Sequence, residues 1–128
     1  MNLISMPSGR DIYIEVNGRK LAVAQSYKAK STKESKLIEA FGSSEPVGTV
    51  EGSLRHGLEL TRVCAAVNEA QSTDFHSLRD FNVVIVRPGK KIIYAGCQWS
   101  SISESAGLGE VIFETVSILA ARRLEVAL

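Results

Sequence analysis

The chain has 128 residues, of which 45% are hydrophobic and 23% are charged. This is the composition of a single ordinary globular domain, spanning residues 1–128, and it excludes overall disorder. The net charge of +1 predicts no general affinity for nucleic acid or for anionic membranes. No apolar run approaches the roughly 20 residues needed to span a bilayer, and the first residues lack the pattern of a signal peptide, so we expect cytoplasmic assembly.

The first predicted element is a β-hairpin near the start of the chain. Residues 11–16 alternate between apolar and polar side chains, and residues 21–30 alternate on the way back. Asn17 and Gly18 stand between these two segments, and both residue types tolerate the positive φ of a type I′ turn. The sequence therefore predicts that residues 11–16 and 21–30 pair around this turn.

The next segment, residues 31–52, has a much weaker pattern. Residues 33–41 fit one or two helical turns that place apolar side chains on one face, whereas residues 42–46 indicate a loop. A connection of about 20 residues is longer than usual, and such loops tend to be functional. Because lysines precede glutamates along it, we predict an inter-subunit loop. Its predicted contact residues are Lys33, Lys36, Phe41 and Glu45.

The middle of the chain predicts one strand and one short helix. Residues 50–66 form an extended apolar pattern in which Gly52 and Gly57 mark bends. Residues 74–80 are typical of a short helix that turns Phe75 and Leu78 inward.

Three consecutive strand-like segments close the chain, over residues 81–87, 91–103 and 110–122. Two of them are about twice the length of an ordinary strand. Strands that long in so short a chain indicate a sheet completed by other copies of the molecule. In the second segment, Gln98, Ser103 and either Ser100 or Ser101 place small neutral groups on one solvated face.

Residues with the potential for catalysis or metal binding are few and scattered. Neither His56 nor His76 has metal-ligand spacing from a cysteine or from the other histidine. Cys64 and Cys97 each lie in a strand-like segment and are interpreted as free, buried thiols. The many serines lack a nucleophile elbow and a nearby base. We therefore predict no catalytic, cofactor-binding or metal-binding residues, and no enzyme.

The elements in this order resemble the tail tube protein family of contractile bacteriophages and related phage-like particles. The resemblance covers nearly the whole chain: the hairpin at 9–23, the lysine-rich strand at 27–33, the strand at 52–63 and the closing strands. It implies a mainly-β, tail-tube-like sandwich or barrel with one short helix, whose strands are shared in a ring-wide barrel. Hexameric rings would stack into an inner tail tube, a conduit for DNA ejection or envelope puncture.

The same resemblance implies the partners and the place of assembly. Sheath, baseplate and tape-measure proteins would contact the tube, and DNA would pass through it without specific binding or membrane insertion of the subunit. The location would be a virion tail or phage-like particle assembled in the bacterial host cytoplasm. The family usually has a longer helix than residues 74–80 allow, so a baseplate tube initiator is an alternative. A small β-barrel binding module is the alternative from another class.

A channel for a polyanion should avoid fixed positive charge along its wall, because each cation would hold a phosphate. Residues 92–121 contain no Lys or Arg. We therefore predict that Glu114, and Ser101 or Ser103, face the lumen. Arg122 and Arg123 are predicted at a strand end, in ring-to-ring contacts. The alternative is that long strands simply place their charges at their tips.

Overall fold

The computed structural model of the protein describes residues 3–4, 8–64 and 73–128. These residues form nine strands and two short 3₁₀ helices, Gly9–Asp11 and Phe75–Ser77. The strands are β1 (Tyr13–Val16), β2 (Arg19–Lys20), β3 (Ala24–Lys33), β4 (Lys36–Ile38), β5 (Gly48–Val50), β6 (Leu54–Val63), β7 (Phe81–Arg87), β8 (Lys90–Ser105) and β9 (Phe113–Ala127).

Seven strands form one antiparallel sheet in the order β2-β1-β7-β8-β9-β6-β3, and β4 and β5 form a separate two-stranded sheet. The prediction of a mainly-β fold is confirmed. Pro88-Gly89 and residues 107–109 each connect consecutive antiparallel strands of the main sheet.

The long strands β8 and β9 connect the two halves of this sheet. Residues 90–97 of β8 pair with β7, while residues 98–105 pair only with β9. Ile14 and Ile85 from one half share a single buried cluster with Leu60 from the other. The sheet therefore curls over its own core, as in a sandwich or an open barrel.

Gly96 marks the place where β8 bends between the two halves. Its φ is +64°, and an added Cβ would lie 2.9 Å from the Cβ of Ala121 on β9. Tyr94 on one side of Gly96 and Cys97 on the other are both buried, so the alternation of side chains is shifted by one residue there. A bulge of this kind bends the strand and so changes the direction of its second half.

The hairpin turn is confirmed, but its predicted second strand is wrong. Asn17 and Gly18 have φ values of +50° and +80°, and β1 pairs with β2 only through two residue pairs. Leu21 then enters the core with 3% exposure, which ends the hairpin. The chain crosses to the opposite edge of the sheet, where β3 pairs with β6.

Replacing Gly18 with valine should lower the free energy of unfolding by about 1–3 kcal/mol, because a β-branched residue is strained at positive φ. Gly48→Val is the matched control, since no positive φ and no close atom is found at Gly48. Thermal melting measures both variants. Equal melting temperatures for the two would contradict the role assigned to this turn.

Three further elements differ from the sequence-based expectations in type or in boundaries. The segment 33–41 is not helical, because it contains strand β4. The helix predicted over 74–80 is a single 3₁₀ turn, Phe75–Ser77, capped by the Asp74 carboxylate. Strand β6 begins at Leu54 rather than at residue 50, and the predicted end at Ala66 lies outside the described residues. No helix in the described part of the chain is long and apolar enough to cross a bilayer.

Candidate functional site

The solvent side of β3, β6, β9 and residues 98–105 of β8 forms one polar surface, which we call the polar face. In one row across it, Ser103 on β8 lies beside Thr115 on β9, and Thr115 lies beside Thr61 on β6. The hydroxyls of Thr61 and Thr115 are 3.1 Å apart. One row further along, Ser101 lies beside Ser117, and Ser117 beside Glu59. Hydroxyl-rich rows of this kind remain solvated and leave the other face to the core.

A bulge in β8 decides which serine points to this face. The register between β8 and β9 shifts between Trp99 and Ser101, so Ser100 has no direct partner. The Ser100 hydroxyl instead donates to the Ser117 carbonyl at 3.1 Å. The alternative that the sequence left open, Ser100 or Ser101, is therefore resolved in favour of Ser101.

Glu114 does not lie on the polar face. Its side chain is on the core side of β9 with 4% exposure, and its Oε1 accepts from Arg62 Nε at 3.0 Å and Nη2 at 2.9 Å. The prediction that Glu114 faces a channel is wrong, because alternation along β9 puts residue 114 with the buried Val116 and Ile118. An ionised carboxylate at this depth requires a charged partner.

Arg62 is held in three ways. Besides the ion pair, its Nη2 donates to the Thr73 carbonyl at 2.6 Å, and its guanidinium lies 5.0 Å from the centre of the Phe75 ring. This network joins β6 and β9 to the segment that enters the 3₁₀ helix. Sequence reasoning missed it because residues 62, 73 and 114 are far apart in the chain.

The fixed charges of the polar face lie on β3 and β6 and not on β8 and β9. Lys28 lies beside Glu59, and Lys30 lies beside Gly57. The β8 and β9 residues of this face include Gln98, Ser101, Ser103, Ser105, Phe113, Thr115, Ser117 and Leu119. The absence of Lys and Arg from residues 92–121 therefore does not hold for the whole polar face, because β3 brings these two lysines onto it.

Each side of the polar face ends in a strand edge that pairs with no other strand among the residues described. One is β3, whose ten residues pair only with β6. The other is the segment 98–105 of β8, which pairs only with β9. The two edges lie on opposite sides of the polar face. Unpaired edges of this length usually pair with another chain unless they are protected.

An arm projects from the end of the hairpin made by β3 and β6. It comprises residues 34–50, including β4 and β5, and every one of them is exposed. At its base, the Lys33 ammonium pairs with the Glu51 carboxylate, and this hydrogen bond lowers the pKa of Glu51. The arm keeps large apolar side chains in solvent, and Phe41 is fully exposed.

The predicted inter-subunit residues fall into two groups. Lys36, Phe41 and Glu45 lie on the arm, with Lys33 at its base. Arg122 and Arg123 lie inside β9, which continues to Ala127, so their predicted position at a strand end is wrong. They also point to opposite faces: the Arg123 guanidinium donates to Glu125 at 2.6 Å, and hydrogen bonds with Glu125 and Tyr94 raise the pKa of Arg123.

The fold brings Cys64 close to two carboxylates. Potential ligand atoms of Cys64, Glu104 and Glu114 lie within 4.8 Å of one another. Burial raises the pKa of the Cys64 thiol, and Glu114 raises it further, so the thiol stays protonated at neutral pH. Arg62 already binds Glu114, and the nearby carboxylates disfavour the thiolate, so Cys64 does not have the environment of an activated nucleophile.

Cys97 should react only when the protein unfolds. Its side chain has 0% exposure, and burial raises the pKa of the thiol to about 11, which leaves about 0.1% thiolate at pH 8. We expect a thiol reagent to label Cys97 at the rate of global opening, and to label the partly exposed Cys64 first. Peptide mass spectrometry measures both sites. Rapid native labelling at Cys97, or a disulfide between the two cysteines, would contradict this prediction.

A cleft of about 250 Å³ lies between β1 and β3 and is lined by Ile12, Ile14 and Tyr27 among others. It is smaller than the roughly 300–1,000 Å³ of typical ligand sites. The surfaces with unusual chemistry are thus the polar face, the two strand edges and the arm.

No protein-family model and no curated protein matches the chain. Solved structures do match it along nearly its whole length. The tube terminating cap of the anti-feeding prophage shares 7% identity with a TM-score of 0.74, over 100% of this chain and 95% of that chain. A sheath/tube terminator of the extracellular contractile injection system PVC shares 9%, with a TM-score of 0.75, over 98% and 100%.

The tail tube of SPP1 is similar as well, with 13% identity and a TM-score of 0.72, over 94% of this chain and 79% of that chain. At these identities the likeness shows the fold. The chain has the β-rich fold of tail tube and tube terminator proteins, and the resemblance predicted from its sequence is confirmed.

Proposed function

We propose that this chain, which has the tail tube fold, is a structural protein that assembles into closed hexameric rings around a channel. The rings stack into the inner tube of a tail or of a phage-like particle, a conduit for DNA ejection or envelope puncture. The observation that carries the proposal is the pair of unpaired strand edges on either side of the polar face.

In such a ring, the β3 edge of one copy pairs with the 98–105 edge of β8 in the next copy. The two edges have ten and eight residues, so up to eight residues can pair, over about 26 Å at about 3.3 Å per residue. Repetition around a closed ring pairs both of these edges in every copy, and the polar faces together form the inner wall. A head-to-tail contact between two different surfaces is the kind that generates rings.

Electron microscopy of the purified protein tests the proposal, together with amide hydrogen exchange. We expect rings or tubes with a central channel. In these assemblies, the backbone amides on the unpaired edges of residues 24–33 and 98–105 should exchange more slowly than they do in the dilute subunit. A stable monomer at high concentration would contradict the proposal and favour the small binding module.

A tube terminator or a baseplate tube initiator is the second candidate. Two of the similar structures are a cap and a terminator, and this chain spans 95% and 100% of their lengths. A terminator or an initiator would form single rings that bind one end of a tube, whereas a tube subunit would form long stacks. The length distribution of the assembled particles distinguishes these roles.

The expected partners of this protein are those of a tail tube: sheath, baseplate and tape-measure proteins. DNA would pass through the channel without being bound. We propose a location in a virion tail or phage-like particle assembled in the bacterial host cytoplasm. On β8 and β9 the polar face supplies hydroxyls and an amide, which are suited to passage and not to catalysis, so we propose no enzymatic activity.

Replacing Ser101 with lysine should leave ring assembly intact but slow DNA passage, because each added cation on the wall would hold a phosphate. Ser101→Thr is the control, since it keeps the hydroxyl and adds no charge. Sedimentation measures assembly, and DNA delivery by particles built from each variant measures passage. Equal delivery by the two variants would remove Ser101 from the channel wall.

A further inference from the structure

The outer side of the half-sheet formed by β1, β7, β8 and β9 carries an apolar surface. Strand register places six large side chains next to one another on the side away from the core, and we call them the outer patch. They are Tyr13, Val84, Val86, Ile93, Leu124 and Val126. Leu124 is 54% exposed, and Tyr13 and Val126 are each 40% exposed. A contiguous patch of this kind marks an interaction surface.

Positive charge borders the outer patch. Lys91 lies between Val86 and Val126 in the same row of the sheet. Arg122 precedes Leu124 by two residues and lies on the same face, and Lys20 lies 5.3 Å from the centre of the Tyr13 ring. Glu15 also lies on this face, where it pairs in register with Lys20 and Val84. The outer patch is therefore apolar with an excess of positive charge.

The arm has the complementary chemistry. Five of its apolar side chains are strongly exposed: Leu37 at 63%, Ile38 at 43%, Phe41 at 109%, Val47 at 61% and Val50 at 50%. Its charged residues are Glu34, Glu39 and Glu45, opposed by Lys36 alone. A two-stranded hairpin is only marginally stable in water, so an arm of this kind gains order by docking.

We propose that the arm of one copy docks on the outer patch of a second copy. The arm's apolar side chains cover the outer patch, and Glu39 and Glu45 approach Lys91 and Arg122. The contact is heterologous, because the arm and the outer patch are different surfaces of the same chain, so it propagates from copy to copy. This inference rests on the proposed function, since it assigns the place where the arm binds in the assembly.

Charge reversal with rescue tests the contact. Glu39→Lys and Arg122→Glu each place like charges across the proposed interface, and the double variant restores opposite charges. Glu110→Lys and Arg10→Glu are matched controls on exposed residues that belong to neither the arm nor the outer patch. The measured quantity is the subunit concentration at half assembly, from sedimentation velocity at low salt. Circular dichroism and melting check that each variant is folded.

We expect each single reversal to raise this concentration about tenfold, the double variant to return it to near the original value, and the controls to leave it unchanged. If assembly proceeds and the single reversals act no more strongly than the controls, the contact is wrong while the proposed function stands. If the single reversals weaken assembly and the double variant does not restore it, the contact is also wrong. If the unmodified protein never assembles, both the proposed function and this contact are wrong.

Discussion

Replacing Arg62 with methionine should lower the free energy of unfolding by about 3–5 kcal/mol, the usual cost of leaving one charge of a buried pair without its partner. Glu114 has 4% exposure, so water cannot replace the guanidinium. The substitution also removes the hydrogen bond to the Thr73 carbonyl and the contact with the Phe75 ring. Urea denaturation of the isolated subunit measures the loss.

Two further variants distinguish the stability lost because a buried charge is unpaired from the stability lost because packing is removed. Arg62→Met combined with Glu114→Gln removes both charges and should recover part of the stability, because an uncharged amide is less costly to bury. Arg55→Met, on an exposed arginine of the same strand, should change the stability by less than about 0.5 kcal/mol. A loss at Arg62 no larger than that at Arg55 would contradict the role assigned to the ion pair.

Replacing Leu37, Phe41 and Val47 together with serine should raise the concentration needed for assembly at least about a hundredfold, with the subunit's melting temperature unchanged. Fully burying one such side chain contributes about 1.5–3 kcal/mol, and 1.4 kcal/mol corresponds to a factor of ten. The three side chains are at least 61% exposed in the subunit, so the subunit itself loses little. Sedimentation and electron microscopy measure assembly.

Ile4→Ser is the control for a general change in solubility, because Ile4 is 81% exposed and outside the arm. Limited proteolysis provides a second measurement: a protease should cut residues 34–50 in the dilute subunit and spare them in the assembled particle. Unimpaired assembly of the triple variant, or equal cleavage in both states, would show that the arm takes no part in subunit contacts.

The resemblance to tail tube proteins was predictable because it depends on features that are local in the chain. Alternating residues and the Asn17-Gly18 turn identify the first hairpin, and the length of the closing segments identifies strands that extend past the core. The pattern of residues 33–41 was ambiguous, because a short amphipathic segment fits a helical turn as well as a strand. Pairing with β5 makes it strand β4.

The sequence by itself determined that this is a mainly-β domain with a type I′ turn, two overlong strands and a serine-rich strand face. These properties follow from side-chain alternation and from glycine's tolerance of positive φ. Only the tertiary structure decided which face each residue joins. One bulge selected Ser101, and alternation along β9 buried Glu114 beside Arg62. A shift of one residue reverses a side chain's face, and such shifts depend on pairing between strands distant in the chain.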